Sequence, residues 1–489
     1  MPVDLRISPR WKAEDLGLPM PDSPHAVSAC LPLWQHNIQY EEGAPEVVSR
    51  LQAAYPRFCL HPYVRELCRR TFGNDQGGLI FGSHAAATRA FDYLVQYDIS
   101  DAKLIRLPSQ AATGVAVDPK HFGKLKEYWQ HAGEIISSRT AESILAGKSV
   151  CCTETSARSE IRKRLLDLRG GRPHDLWLHP CGMSAIAAVW RAIRRQDAVN
   201  PSVQFGFPYV DTLKIQQRFG SRAYRFLPQG DSQDLNQLRR ILTAESISAV
   251  FCEAPTNPLL TTPDLKQLRE LADESGFVLV IDDTLQACVN QDLLPLSDVI
   301  VTSLTKYFSG YGDVLAGSVA LNPASRHAAW LRSALNDGFE ELLTDPDTEV
   351  LEQNSRDVRE RVAIINDNAS ILASRFLRHP CVDRVFHPSV TPSSNEGRDG
   401  GLMSIVLKNP EQTTAKMFDS LRVCKGPNLG TNFTLCCPYT LLAHFTELDF
   451  VEQFGVSRWL LRISVGTEPV EDLWERFGSA FDMISGLQN

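Results

Sequence analysis

The sequence lacks the features that mark membrane, secreted and nucleic-acid-binding proteins. No stretch approaches 18 consecutive apolar residues, so we expect no transmembrane helix and no membrane partner. Residues 1–15 are charged and contain no apolar segment of the signal-peptide type. There is no long run of Lys and Arg, and the formal net charge at pH 7 is -8, so we expect no nucleic-acid partner. These absences favour a cytoplasmic protein.

The sequence also lacks paired cysteine motifs and internal repeats. None of its 12 cysteines forms a C-x-x-C pair, and scattered cysteines in a large cytosolic chain are usually small buried hydrophobic residues. We therefore predict no metal site. The 489 residues are enough for two or more domains, and 43% hydrophobic with 22% charged residues is typical of a globular protein. The polar, turn-rich stretch 389–401 is predicted to be a surface loop.

The central third of the chain alternates helical and strand patterns. Residues 182–195 have a helical apolar stripe, and the apolar runs at 247–254, 277–284 and 298–307 predict strands buried on both faces. Such a β-α-β succession is typical of a mostly parallel sheet with helices on both sides.

A helix is predicted between the first two of these strands. Its start is assigned to Thr262 as N-cap with Pro263 at the first helical position, and its end to Gly276. Its buried stripe is formed by Leu265, Leu268, Leu271 and Ala272.

Polar residues follow three of the predicted strands, at 253–257, at Asp282 and at 303–306. Each group alone could be a cap or a turn. Ligands of parallel sheets bind beyond the carboxyl ends of the strands, so three groups at one sheet edge indicate a binding site.

Lys306 is the residue at this edge whose side chain is most suited to react with a cofactor. A buried lysine must pair, reach water or react, and one reaction is a Schiff base with a carbonyl cofactor. Ser303 and Lys306 also spell the S-x-x-K of serine acyl enzymes, but the S-D-N and K-T-G tripeptides of that class are absent. Asp282 could hold a pyridinium nitrogen protonated, or could simply cap a helix. The helix start at 181–184 could bind a phosphate.

Five segments, taken in order, resemble the Cys/Met-metabolism family of pyridoxal 5′-phosphate (PLP) enzymes, which includes cystathionine γ-synthase, cystathionine γ-lyase and O-acetylhomoserine sulfhydrylase. The most specific match is S-x-T-K-Y-x-x-G-x-x-D-V-x-x-G at 303–317. The other four family motifs are S-S-G-M-A-A-I at 180–186, E-S/A-P-x-N-P at 253–258, V-D-N-T-F at 281–285 and L-x-R-x-S-V-G-x-E at 460–468.

The resemblance implies the α/β architecture of PLP-dependent transferase fold type I. The chain would then have an N-terminal arm (1–72), a large PLP-binding domain with a mostly parallel central sheet (73–355, with an insertion before residue 175) and a smaller C-terminal α/β domain (356–489).

The same resemblance implies roles for individual residues. Lys306 would bind PLP as a Schiff base and move protons, Asp282 would hold the pyridine nitrogen, and Tyr209 would stack on the ring. Asn257 would lie near the ring hydroxyl. The phosphate would be bound by Gly182, Met183, Ser303 and Thr305.

Further residues would bind the substrate or connect subunits. Arg462 would bind the substrate carboxylate, with Asn428 and Lys214 also in the substrate pocket. Tyr55 and Arg57 match the family's Y-x-R, which reaches the phosphate of a neighbouring subunit. The resemblance therefore implies a homo-oligomer, a tetramer built from catalytic pairs.

The spacing points to a subgroup of the family. Arg57 and Gly182 are 125 residues apart (182 − 57), which resembles the fungal type of cystathionine γ-synthase. Three departures lie near the expected phosphate or substrate pocket. Val210 and Asp211 replace the glycines of Y-G-G-T, Pro180 replaces a serine, and S-L-G-G is changed at 428–431. We interpret the chain as an active enzyme with altered substrate choice.

The reaction implied by the resemblance is γ-replacement on an O-acyl-L-homoserine, in particular O-acetyl-L-homoserine, through a vinylglycine ketimine. The second substrate would be a thiol, as in cystathionine synthesis, or a carbon nucleophile of specialised metabolism. Two alternatives stay open: a γ-lyase that eliminates without a second substrate, and an inactive relative that acts as a binding protein.

Overall fold

The computed structural model describes residues 3–74, 76–107, 112–219, 224–390 and 400–487. Most of the loop predicted at 389–401 therefore lies outside the described residues. The strands are β1 Gly78–Phe81, β2 Lys103–Arg106, β3 Thr113–Ala116, β4 Leu176–His179, β5 Ser202–Phe205, β6 Arg225–Leu227, β7 Ala249–Glu253, β8 Val278–Asp282, β9 Val299–Thr302, β10 Gly317–Leu321, β11 Val382–Phe386, β12 Leu402–Leu407, β13 Cys424–Lys425, β14 Leu435–Pro438 and β15 Leu461–Ser464.

Helices cover the faces of the sheets and form the connections between strands. They are α1 Trp34–Glu41, α2 Pro45–Val48, α3 Pro62–Phe72, α4 His84–Val95, α5 Phe122–Ala132, α6 Ser138–Leu145, α7 Ser156–Arg169, α8 Gly182–Gln196, α9 Val210–Arg218, α10 Ser232–Ala244, α11 Leu265–Ser275, α12 Ala328–Gly338, α13 Asp345–Asn354, α14 Val358–Leu377, α15 Pro410–Ser420, α16 Tyr439–His444, α17 Leu448–Glu452 and α18 Val470–Asp482. Among the described residues, no helix combines the length and apolar character needed to span a bilayer.

The largest sheet has seven strands in the order β4-β10-β9-β8-β7-β5-β6. Its strands run parallel from β9 to β6, and β10 runs antiparallel to both of its neighbours. Alternate residues of a strand point to opposite faces, and Val250 and Phe251 of β7 accordingly join two different apolar cores. Both faces of the sheet are therefore buried, which confirms the predicted α/β fold with a mostly parallel central sheet.

One predicted helix start is wrong. Helix α11 begins at Leu265 rather than at Pro263, and its N-cap is Asp264, not Thr262. The carboxylate of Asp264 accepts a hydrogen bond of 3.1 Å from the backbone N–H of Gln267, and this satisfies a donor of the first turn. The predicted end is confirmed, because Gly276 adopts a left-handed conformation (φ +80°) as the C-cap.

A second sheet lies in the C-terminal part of the chain, in the order β11-β12-β15-β14-β13. All of its strand pairs are antiparallel except β13 and β14. Helices α14, α15 and α18 pack on this sheet through an apolar core that includes Phe376, Phe418 and Phe477. The predicted domain boundaries at 72/73 and 355/356 stay predictions.

The N-terminal residues pack on both later parts of the chain. The backbone N–H of Val27 donates to Gly312 O, and that of Leu31 donates to Lys425 O, each at 2.9 Å. The buried Lys425 donates its ammonium group to Pro32 O at 2.9 Å and to Asp419 O at 3.0 Å. A small antiparallel sheet, β1-β3-β2, follows this segment. The sequence patterns did not predict it.

Candidate active site

The carboxyl ends of β7, β8 and β9 meet at one cavity of about 940 Å³. This volume is in the usual range of small-molecule sites. All the predicted site residues line the cavity except Thr305 and Asn428. The residues that line it are Tyr55, Arg57, Gly182, Met183, Tyr209, Lys214, Asn257, Asp282, Ser303, Lys306 and Arg462.

Lys306 is buried in the wall of this cavity. Its ammonium group donates a hydrogen bond of 2.6 Å to Oδ1 of Asn428 and lies 4.4 Å from the centre of the Tyr55 ring. Burial lowers the pKa of Lys306, and Tyr55 offsets part of that effect. A lysine with a lowered pKa is neutral more often, so it is a better nucleophile and proton acceptor.

Asp282 ends β8 beside Glu253, its partner in the register with β7. The backbone N–H of Thr284 donates to Oδ1 of Asp282 at 2.9 Å, but no basic side chain of the described residues forms an ion pair with this carboxyl. Burial raises the pKa of Asp282. Burial is also the main cause of the raised pKa of Glu253, and the negative charge of the nearby Asp282 adds to it. A buried carboxyl without a counter-charge favours a cationic ligand group such as a protonated ring nitrogen.

Glu253 organises the wall next to Asp282. Its carboxylate accepts hydrogen bonds from the backbone N–H groups of Tyr209 (2.5 Å) and Asn257 (3.0 Å). These bonds connect the end of β7 to the start of α9, where Tyr209 stands. The sequence placed Glu253 at the predicted edge of the sheet and in a family motif, and only the fold reveals that it holds two site residues.

Helix α8 points its N-terminus at the cavity. Gly182 is its first residue, and a Cβ atom there would lie only 2.8 Å from Cβ of Ser303. Glycine thus allows Ser303 to approach the helix end, where unpaired backbone N–H groups attract an anion. The Thr305 hydroxyl is held by the backbone of Ala316. Its predicted phosphate contact stays a prediction.

Arg57 lies in the cavity of its own chain, beside Tyr209. Its guanidinium donates to the hydroxyl of Tyr209 at 2.5 Å, to Gln130 O at 3.0 Å and to the carboxylate of Asp211. Asp211, which is 0% exposed, also contacts Nδ1 of His131 at 2.9 Å. Burial alone would raise the pKa of Asp211, but Arg57 and His131 outweigh it and hold that pKa below its ordinary value. The prediction that Tyr55 and Arg57 serve a neighbouring subunit stays a prediction.

Arg462 also lines the cavity and belongs to β15. Its Nη2 donates to Pro427 O at 2.6 Å and its Nη1 to Oδ1 of Asn257 at 3.4 Å, and the guanidinium lies 4.8 Å from the centre of the Tyr439 ring. No carboxylate of the described residues forms an ion pair with Arg462. Its charge is therefore available for a ligand carboxylate.

A comparison with known protein families identifies the family to which the chain belongs. The family model for "Cys/Met metabolism PLP-dependent enzyme" matches residues 152–482. The chain belongs to this family of PLP-dependent enzymes. It is 32% identical to the cystathionine gamma-synthase of Neurospora crassa, over 95% of this chain and 98% of the relative.

Other relatives of similar identity carry different names. The cystathionine gamma-synthase-like enzyme iboG2 of Amanita muscaria is 31% identical, over 94% of this chain and 95% of the relative. The L-2-amino-4-chloropent-4-enoate dechlorinase/desaturase of Streptantibioticus cattleyicolor is 32% identical, over 95% of this chain and 97% of the relative. Membership of the PLP family therefore does not by itself fix the reaction.

Solved structures agree on the fold. The crystal structure of cystathionine gamma synthase from Xanthomonas oryzae superposes with a TM-score of 0.60 at 24% identity, covering 68% of this chain and 87% of that chain. The predicted fold type, the family and the use of PLP are thus confirmed. The cavity fits PLP, because it combines a buried lysine, a carboxyl without a counter-charge and a helix N-terminus kept open by glycine.

The cavity also contains a charged group that the family motifs do not include. Lys214, predicted to bind substrate, lies 3.2 Å from Oε2 of Glu447, so its charge is already balanced. Oε1 of the same carboxylate lies 2.9 Å from Nδ1 of His444. Glu447 and His444 both line the cavity, and nothing in their sequence surroundings marked them.

Arg361 holds the backbone segment that follows Lys306. Its Nη2 donates three hydrogen bonds of 3.1 Å to the carbonyl oxygens of Tyr307, Phe308 and Ser309. These carbonyls directly follow Lys306, so the buried guanidinium holds the backbone that carries the lysine.

Proposed function

We propose that this PLP-dependent enzyme catalyses γ-replacement on an O-acyl-L-homoserine, with O-acetyl-L-homoserine as the expected substrate. The proposal is carried by one observation, the cavity in which a buried lysine and a carboxyl without a counter-charge face an arginine free of ion pairs. The names of the relatives support γ-replacement, since two of those described above are cystathionine gamma-synthase or resemble it.

In this proposal the cofactor is held by residues from five parts of the chain. Lys306 would bind it covalently, Asp282 would pair with the ring nitrogen, Tyr209 would contact the ring and Asn257 would lie near the ring hydroxyl. The phosphate lies at the N-terminus of α8, where Gly182, Met183 and Ser303 line the cavity. When bound, PLP supplies an electron sink that makes the protons on Cα and Cβ of an amino acid acidic.

The protein residues bind the substrate and move its protons. Arg462 binds the α-carboxylate through its two-pronged guanidinium. Lys306, once the substrate amine displaces it from the cofactor, would take the Cα proton and pass it on, because burial lowers its pKa. Asn428 orients its amine through the 2.6 Å hydrogen bond. Lys306 then also takes a proton from Cβ, and the acyloxy group leaves Cγ as a carboxylate anion. A nucleophile adds at Cγ, and protons return to Cβ and Cα.

Several cations in the cavity wall are already paired with carboxylates, so they are not free to bind a second zwitterionic amino acid such as cysteine. Lys214 is paired with Glu447, and Arg218 is paired with Glu127 at 3.1 Å. Burial raises the pKa of Glu41, and the charge of the nearby Lys126 offsets part of that rise. Cysteine would need partners for an additional ammonium and carboxylate, and each unpaired buried group costs roughly 1–3 kcal/mol. We therefore propose that a weakly polar thiol or a carbon nucleophile is preferred over cysteine.

A product analysis tests this proposal. The enzyme would be given O-acetyl-L-homoserine with cysteine, with a small 1,3-dicarbonyl compound or with no second substrate, and the products would be identified by mass. We expect a carbon–carbon product at a higher rate than cystathionine, and neither product from the Lys306→Ala variant. Efficient cystathionine formation without a carbon–carbon product would overturn the nucleophile preference. Ammonia and 2-oxobutanoate formed at one rate in all three mixtures would favour the alternative γ-lyase.

A further inference from the structure

The buried His444 and the half-buried Glu447 form a pair in the wall of the cavity that contains Lys306. The His444 ring is 4% exposed and makes edge contacts with Phe207 (ring centres 5.6 Å apart) and Tyr439 (6.0 Å). Nδ1 of His444 lies 2.9 Å from Oε1 of Glu447, whose other oxygen lies 3.2 Å from the ammonium of Lys214. The ring is therefore fixed by two aromatic neighbours and one carboxylate.

The hydrogen bonds assign different roles to the two ring nitrogens. An ionised carboxylate only accepts hydrogen bonds, so Nδ1 carries the hydrogen that faces Glu447. The hydrogen bond from His444, followed by the charge of Lys214, holds the pKa of Glu447 at about 2, so this carboxyl is ionised at neutral pH. In the neutral ring the free electron pair is then on Nε2.

Nε2 of His444 has no hydrogen-bond partner among the described residues, although it is buried. Buried polar atoms without a partner are uncommon and costly in proteins, and each one calls for an explanation, of which a catalytic role is one. A carboxylate–histidine pair with a free Nε2 is the arrangement that other enzymes use for a general base.

We propose that His444 is the general base that takes the proton from the incoming nucleophile, with Glu447 as its positioning residue. This inference rests on the proposed γ-replacement. Nε2 takes the proton of the S–H or C–H group, and the electron pair left on sulfur or carbon forms the new bond to Cγ. The acyloxy group has left as a carboxylate with the electron pair of the broken Cγ–O bond, and His444 then releases its proton to the solvent.

This second base divides the proton transfers between two residues. Lys306 removes the protons on Cα and Cβ of the first substrate, while His444 removes the proton of the second substrate. The charged groups that face the ring are Glu447, on the following segment, and Lys214 on α9. A nucleophile that is already ionised in solution should not need His444.

The test compares two nucleophiles in the holoenzyme supplied with O-acetyl-L-homoserine. One is 2-mercaptoethanol, which is protonated near neutral pH, and the other is thiophenol, which is largely ionised there. The His444→Asn variant keeps an N–H group that can face Glu447 but has no Nε2. We expect its kcat to fall by about 10²-fold or more with 2-mercaptoethanol and by less than about 10-fold with thiophenol. Acetate release without a nucleophile should be unchanged.

Two further variants separate catalysis from folding. Glu447→Gln keeps the ring and should show a smaller loss with the same dependence on the nucleophile, so it tests the proposal if His444→Asn does not fold. His174→Asn, on the exposed surface, is the matched control and should behave like the wild type. Equal losses with both thiols, or no loss, would overturn the role of His444. A wild-type enzyme that forms neither thioether and also no carbon–carbon product with the 1,3-dicarbonyl compound would instead overturn the proposed γ-replacement.

Discussion

The buried Asp211–Arg57 ion pair is a strong test of the structure, because Asp211 occupies a position where the family motif has glycine. The two side chains are 0% and 3% exposed, so the value of about 0–1 kcal/mol for surface ion pairs does not apply. Asp211→Asn leaves the Arg57 charge buried without its carboxylate, and breaking a buried pair in this way costs about 3–5 kcal/mol. We expect a loss of stability of that size, with weaker retention of PLP because Arg57 also holds the Tyr209 hydroxyl.

The assay is urea unfolding at fixed protein concentration with excess PLP, in a double-mutant cycle of Asp211→Asn, Arg57→Met and the two together. Once one partner is gone, removing the other should cost little, so the double variant should be more stable than the sum of the single losses predicts. We expect a coupling of about 2–3 kcal/mol. Additive losses, or an Asp211→Asn variant that unfolds at the wild-type urea concentration, would refute the pair.

Three further predictions concern the cofactor, the oligomer and pH. Asp282→Asn should keep PLP bound, as judged from its visible absorption, but lose turnover on the order of 10²-fold, because an amide cannot stabilise a protonated ring nitrogen; near-normal kcat would show that another residue does so. Mixing inactive Arg57→Ala and Lys306→Ala subunits should restore activity if Arg57 serves a neighbouring subunit, and mixed oligomers without activity would contradict this. Burial lowers the pKa of Lys425 to about 8, below its value of about 10.4 in an unfolded chain, so the folded state loses this proton first. The stability of the wild type relative to Lys425→Met should therefore rise between about pH 8 and 10 and stay level below that range. If the urea midpoints of the two proteins differ by the same amount from pH 7 to 10, the pKa shift is refuted.

The sequence predicted the edge of the central sheet well, because local patterns determine it. Buried parallel strands need uninterrupted apolar runs, and the polar residues that follow them must lie where the strands end. Asp282 and Lys306 were found in this way before the family motif assigned them roles. The start of α11 was wrong by two residues, since both Thr262 and Asp264 are suitable N-cap types and only the backbone decides between them.

The contacts that give the cavity its charge could not be predicted, because they join residues far apart in the chain. Arg57 and Asp211 are separated by 154 positions, and Lys214 and Glu447 by 233. Lys214 was predicted as a free cation for the substrate, and only the fold reveals the carboxylate that neutralises it. One feature of the sequence did point to Asp211, because this charged residue stands where the family motif has glycine.

The central claim is that the acyloxy group leaves Cγ after a proton has left Cβ. Its most direct test is the reaction of O-acetyl-L-homoserine with 2-mercaptoethanol in D₂O, with deuterium located in the product by NMR. Removal and return of the protons on Cα and Cβ predicts deuterium at both carbons of the new amino acid. A product with the new bond at Cγ but no deuterium at Cβ would mean direct displacement, and would contradict the proposed function.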